Sequence, residues 1–153
     1  MEYLMDTKIG KIFAEEEGGF ITRLGFCGAN PAAQRGAEEP PAVKKAFEEL
    51  EMYLEGRLKK FTVPINPKGT EFQKRVWQNL LKIPYGQTAT YREIAIRSGN
   101  SRAVRAVGMA NNRNPIAIII PCHRVIFSDG RLGGYAGGAK IKEALLKIEG
   151  AVF

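Results

Sequence analysis

The chain has little cysteine, less histidine and no long apolar run. Two cysteines, Cys27 and Cys122, and one histidine, His123, occur in 153 residues. Two thiols do not make a disulfide framework, and in a reducing compartment they stay free. Two Cys and one His are also too few for a usual structural zinc site, so neither a metal nor a cofactor is expected. No apolar stretch approaches the length that crosses a bilayer, and no membrane partner is expected. The opening residues, MEYLMDTKIGK, are too short and too acidic for a signal peptide, which points to the cytoplasm.

What is present suits a globular protein. Hydrophobic residues make up 44% and charged residues 25%, enough to bury a core in one ordinary domain or two small ones. Lys and Arg outnumber Asp and Glu, 23 against 16, for a formal charge of +7. Such a balance favours a polyanion, nucleic acid first. It also serves solubility, and charge alone does not choose between the two.

Residues 1–26 alternate imperfectly, with turn signals near Asp6 and at Gly18–Gly19, and predict two or three short antiparallel strands. Residues 27–41 read as a loop, and Cys27 as a packed core thiol. Pro41 opens a helix that Gly56 ends, with Ala42, Ala46, Leu50, Tyr53 and Leu54 on one face. The segment FTVPINPKGT, residues 61–70, reads as a linker between units at 1–66 and 67–153.

Beyond it, Thr70 is placed to cap a helix running to Lys82, and Thr90 a second over residues 91–97. After Ser98–Gly99–Asn100, Ser101 is placed to cap a third, from Arg102 to about Asn111. Two short helices around a glycine-containing turn suggest a helix-turn-helix. Arg102 and Arg105 stand among Ala103, Ala106, Gly108 and Ala110. That surface suits close approach to DNA, which the positive charge favours over the alternative that the small residues pack against the first of these helices and the arginines are merely solvated.

Residues 116–120, IAIII, have the composition of a short buried strand, stopped by Pro121. Cys122, His123 and Arg124 follow at once. A reactive thiol must be held rigidly, kept partly dry and placed near groups that favour thiolate; the charge of Arg124 and nearby helix N-termini are both candidates. In an extended chain the adjacent side chains of Cys122 and His123 point to opposite faces, so a direct dyad needs a non-extended turn. A water relay is the other route, with a carboxylate orienting the imidazole. Glu149 is the candidate carboxylate: it ends the last helix, residues 139–149, where the helix dipole disfavours an anion. Ile141, Leu145 and Ile148 are read as that helix's inner face. Between lies FSDGRLGGYAGG, with a turn pair at Asp129–Gly130 that suits a hairpin and glycines around Tyr135, either a surface loop or one that closes on a planar ligand.

PCHRV at residues 121–125 resembles the active-site signature of the O6-alkylguanine-DNA alkyltransferases. FQKRVWQNLLKIPYGQTATYREIA, RAVRAVGMANNRNPIAIIIPCHRV, GGYAGG and KEALLKIEG are similar to the same family, which covers the C-terminal half. The resemblance implies an α/β (α+β) fold, with a small N-terminal antiparallel-sheet domain of ribonuclease H type. A C-terminal winged helix-turn-helix domain would follow. It implies a cytoplasmic monomer that enters the minor groove of double-stranded DNA, flips out an O6-alkylguanine and moves the alkyl group once to Cys122. O4-alkylthymine is a further possible substrate.

Residue by residue, His123 then corresponds to the water-mediated base, Glu149 to the group orienting it and Asn114 to the brace of the active-site turn. Arg105 corresponds to the finger that fills the vacated stack, and Tyr91 to the residue that rotates the nucleotide and donates to guanine. The carbonyls of Cys122 and Val125 would read the guanine amino group. Tyr135 and Ala136 would line the base, Lys142 would stand near the site, and Asn100 and Ser128 would contact phosphate. Some members carry Ser where this chain has Ala136; a backbone N–H there can still donate. The N-terminal zinc ligands of some members and a Cys-rich regulatory domain are not found. Competing readings are a non-catalytic lesion binder, a winged-helix regulator and a cysteine hydrolase. Cys122 opposes the first, PCHRV is unexplained by the second, and the adjacency of Cys122 and His123 disfavours the third.

Overall fold

The computed structural model describes residues 2–26 and 38–153. Cys27 and most of the loop expected at 27–41 lie outside these residues.

Three strands, β1 (Tyr3–Thr7), β2 (Gly10–Glu17) and β3 (Phe20–Phe26), form an antiparallel sheet in the order β1-β2-β3. Ile12, Ala14, Ile21 and Leu24 are buried beneath it. Helix α1 (Pro41–Leu54) begins with Pro41, where a missing N–H costs nothing, and leaves through Gly56 at φ 76°. It lays Val43, Ala46, Leu50 and Tyr53 on the core.

The segment read as a linker is tied down. Glu49 of α1 accepts from the backbone N–H of Thr62 and of Val63 and from the Thr62 hydroxyl. Ile21 donates to Pro64 O at 2.9 Å, and Asn66 donates back to Ile21 O at 2.8 Å.

The C-terminal part is helical. Helix α2 (Glu71–Leu81) starts on a full capping box between Thr70 and Gln73. A short strand β4 (Ala89–Thr90) leads into α3 (Tyr91–Arg97), where the Thr90 side chain accepts from Glu93 N. Helix α4 (Val104–Asn112) packs against both α2 and α3. Trp77 joins α2 to α4 by donating from its indole to Ala110 O at 2.9 Å. A 3-10 turn (Cys122–Arg124), the strand β5 (Val125–Ile126) and helix α5 (Ala139–Ile148) complete the chain. Strand β5 pairs with β4 in parallel.

Four sequence expectations need correction. The third helix begins at Val104, and Ser101 does not cap it; the Asn100 side chain accepts from Arg102 N instead, turning the backbone before the helix starts. The connection between α3 and α4 therefore runs over residues 98–103 rather than three residues. Asp129–Gly130 forms a tight turn, with Phe127 N donating to Arg131 O, but no returning strand follows among the described residues.

Most consequentially, residues 116–120 are buried but are not a strand. Ile116 makes a single parallel bridge to Leu24 of β3, then the chain coils: Ile119 N donates to Ala117 O and Ile120 N to Ile116 O. Ile118 sits at φ 70°, alone among non-glycine described residues in the left-handed region. Apolar composition reports burial, and a buried coil and a buried strand look alike by it.

Candidate active site

The isoleucine coil delivers the thiol. Asn114 holds it at both ends: its Oδ1 accepts from Ile116 N at 3.0 Å and its Nδ2 donates to Ile120 O at 2.8 Å. Pro121, at φ −81° and ψ 63°, then makes an inverse γ-turn closed by Cys122 N to Ile120 O. Residues 122–124 follow as one turn of 3-10 helix. This is the non-extended backbone that lets Cys122 and His123 be neighbours without facing opposite ways.

Cys122 is buried, and burial pushes its thiol up; the Asn114 amide and the Lys142 cation act the other way without overcoming it. The resting group is therefore a thiol that needs a base. His123 is fully buried, and burial pushes it down despite Glu149, so at neutral pH it is uncharged. Its Nε2 lies 2.7 Å from Glu149 Oε2. Burial raises the Glu149 carboxyl, but hydrogen bonds from His123 and Arg124 outweigh that and bring it from 4.5 to about 2. An ionised carboxylate only accepts, so Nε2 carries the proton and Nδ1 is the bare, basic nitrogen. Nδ1 is buried and has no hydrogen-bond partner among the described residues.

Glu149 is the C-cap of α5, and donors on all sides offset that position. Arg124 grips it, Gly86 N donates to Oε1 at 3.2 Å, and Tyr53 Oη donates to Oε2 at 2.5 Å. Arg124 was expected beside the thiol. It instead spends its guanidinium on Glu149 and on Ile83 O, and the groups that favour the thiolate are Asn114 and Lys142.

Lys142 of α5 is wholly buried, on the helix face read from its isoleucines; Leu145 is buried with it, while Ile141 and Ile148 are only half-buried. Lys142 Nζ donates to Val125 O at 2.6 Å and to Leu132 O, so Val125's carbonyl is engaged. Burial lowers its ammonium from 10.5 to about 8.

Tyr91, at the start of α3, is buried with its ring 4.8 Å from that of Phe127. Burial and the Cys122 charge raise its phenol, so it stays protonated and can donate. Tyr91 and Arg105 share a cavity of about 730 Å³ with Gly108, Met109, Asn112 and Gly134. Arg105 is exposed on the first turn of α4. Tyr135 stands edge-on to His123 at 6.5 Å, and its buried Oη has no hydrogen-bond partner among the described residues. Ala136, Ser128 and Asn100 are all exposed, and none is in hydrogen-bond contact with the thiol, imidazole or carboxylate.

Two side chains escaped sequence reasoning. Tyr53 looked like core because it occupies an apolar helix position, although a buried phenol ordinarily finds a partner. Asn111, buried in α4, donates to Cys122 O at 3.4 Å. Its signal was polarity on a helix face that points inward.

A three-helix unit bearing a buried thiol, beside an imidazole locked by a carboxylate, defines a cysteine-dependent protein on a helix-turn-helix scaffold. Comparison with known proteins agrees in detail. Residues 71–151 match the family described as "6-O-methylguanine DNA methyltransferase, DNA binding domain", and residues 1–67 match "6-O-methylguanine DNA methyltransferase, ribonuclease-like domain". A methylated-DNA–protein-cysteine methyltransferase of Methanosarcina barkeri is 61% identical over 106 residues, covering 69% of this chain and 67% of that one. The protein of that name from Mycobacterium bovis is 44% identical over 147 residues, 95% of this chain and 89% of its own. The crystal structure of Mycobacterium tuberculosis OGT in complex with DNA superposes with a TM-score of 0.88 at 42% identity, covering 97% of this chain and 92% of that one. The chain belongs to the 6-O-methylguanine DNA methyltransferase family, and its fold is the α/β (α+β) arrangement expected from the sequence.

Proposed function

We propose that the chain repairs DNA directly, moving an alkyl group from O6 of guanine to Cys122 in a single turnover. The observation that carries this reading is the buried thiol beside a histidine whose Nε2–H is committed to Glu149 and whose Nδ1 is free. A water between Cys122 and Nδ1 would pass the thiol proton to the imidazole as the sulfur attacks. The S–C bond forms and the C–O6 bond breaks in line. The guanine leaves as its anion and takes up a proton, with Tyr91 donating a hydrogen bond on that side. The thioether has no good leaving group, so the protein acts once.

Chemistry on a base needs the base out of the stack. The cavity beside Tyr91 has a size suited to a flipped base, and exposed Arg105 at its rim suits the vacated space in the duplex. Exposed Ala106 and half-buried Gly108, beside Arg105 on α4, suit a minor groove. Asn114 braces the turn; the Cys122 and Val125 carbonyls, already accepting from Asn111 and Lys142, would each use the second lone pair to read the base; the backbone near Tyr135 and Ala136 lines it, Lys142 supports the loop, and Asn100 and Ser128 meet phosphate. The family matches at 1–67 and 71–151 support division near residue 66, and the DNA-bound structure of the Mycobacterium tuberculosis relative supports a DNA partner. We take the protein to act as a monomer in the cytoplasm, where a thiol stays reduced.

The test is to mix the protein with duplex DNA containing O6-methylguanine and digest it with protease. The expected result is a methyl-group mass gain on the Cys122 peptide, stoichiometric with protein. An unmodified Cys122 with DNA still bound would sink the transferase reading in favour of a lesion binder.

A further inference from the structure

We infer that Tyr53 is a positioning residue of the alkyl-transfer relay, contributed by the N-terminal part of the chain. The inference rests on the function proposed above and extends it to a group outside the C-terminal helical part.

Tyr53 lies near the end of α1, and its Oη donates to Glu149 Oε2 at 2.5 Å while lying 3.3 Å from His123 Nε2. Its side chain is wholly buried. The ring is tilted against Phe61 at 5.3 Å and edge-on to Tyr85 at 6.3 Å, so the phenol has one place to go and solvent cannot stand in for it.

The division of donors over the carboxylate gives Tyr53 its task. Oε1 accepts from Arg124 Nε and Gly86 N. Oε2 accepts from Arg124 Nη2, His123 and Tyr53. Without the phenol, the balance of donors shifts towards Oε1, and the oxygen that orients His123 loses its second anchor. Because Nε2–H must point at Oε2 for Nδ1 to be the base, the tautomer itself depends on this oxygen staying in place.

The sign of the pH effect follows from the groups around the imidazole. Glu149, Arg124 and Lys142 bear charge towards His123, and Tyr135 packs edge-on to it. Tyr85 and Arg124 join Glu149 in facing Tyr53. Removing the Tyr53 hydroxyl leaves Oε2 more electron-rich. Both the carboxylate and the imidazole then hold protons more tightly. A protonated His123 cannot accept the thiol proton, so activity is lost at a higher pH than in the parent.

The test is Tyr53→Phe, which keeps the ring and deletes the donor. Transfer to Cys122 is timed across pH with methylated duplex and with free O6-benzylguanine. We expect the variant to be about 10-fold slower on both, a fraction of what a general base contributes, with the acid limb moved to higher pH. An unchanged rate, a loss confined to duplex DNA, or a slowed rate with an unmoved acid limb would overturn the inference.

Should Tyr53→Phe not fold, the parent protein decides. Its single histidine makes the ring ¹⁵N signals unambiguous. Protonated Nε2, bare Nδ1 and a slowly exchanging Tyr53 phenol proton are expected; a rapidly exchanging phenol or the opposite tautomer overturns the inference. These readouts differ from that of the function itself: a parent whose Cys122 never gains a methyl group defeats the transferase reading whatever the tautomer.

Discussion

Arg124 closes on Glu149 with two hydrogen bonds, Nε to Oε1 at 2.8 Å and Nη2 to Oε2 at 3.0 Å, with both side chains almost wholly withdrawn from water. Two parallel bonds fix the plane of the carboxylate as well as its position. Lysine offers one point charge and no fork. Arg124→Lys is therefore expected to lower stability, and Arg124→Ala to cost about 3 kcal/mol or more by leaving a buried charge unpaired. Chemical denaturation measures both, and equal midpoints for parent and Arg124→Ala would contradict the assignment.

The same carboxylate sets a stability limit on the acid side. Its folded-state pKa is depressed from 4.5 to about 2, so the unfolded chain binds the proton more readily. The stabilisation it contributes is complete above pH 4.5 and is lost as the pH falls towards about 2. Glu149→Gln, which keeps the shape without the charge, is expected to flatten the fall in melting temperature across that window. A parallel fall in parent and variant would assign acid sensitivity elsewhere.

Gly133 is in the left-handed region at φ +79°, and a Cβ there would come within 2.6 Å of Tyr91 Oη. Gly133→Ala is strained by its backbone and pushes on a buried phenol together. Slower transfer from both duplex DNA and free O6-benzylguanine is expected, with a stability loss of about 1 kcal/mol or more. Rate measurements on the two substrates, beside a melting curve, check it.

Arg105 is exposed and bonded to none of the buried relay groups. In the proposed mechanism it serves flipping, and free base needs no flipping. Arg105→Ala should slow repair of duplex DNA much more than reaction with O6-benzylguanine. Equal losses on both would remove that role.

What could be read from the sequence was what neighbours in sequence decide. Thr70 and Thr90 cap α2 and α3 as expected, because a cap contacts a backbone group three residues on. Glu149 stood out as a charge at the wrong helix end, and the structure surrounds it with donors. The isoleucine run was legible as buried but misread as a strand, because its conformation is set by Asn114 and by Leu24 of a distant strand. Arg124 was expected at the thiol beside it, yet its partner Glu149 lies on another helix. Tyr53 was hidden for the same reason: it holds an apolar helix position, and its partner Glu149 is 96 residues away.

The pairing of Leu24 with residues on either side of Ile116 also fixes an order of assembly. Leu24 N donates to Pro115 O and Ala117 N donates to Leu24 O, so the turn that carries Cys122 is hung from the free edge of β3. On a ribosome, β3 emerges about 90 residues before that partner, and its edge first receives residues 64–66. The sheet must wait with part of its ladder unpaired while the helical part is made. Glu149, later in the chain than Cys122, closes the relay. A nascent chain thus holds an unassembled nucleophile until Glu149 has been made, and a product cut short between Cys122 and Glu149 carries the cysteine without the carboxylate that orients its histidine.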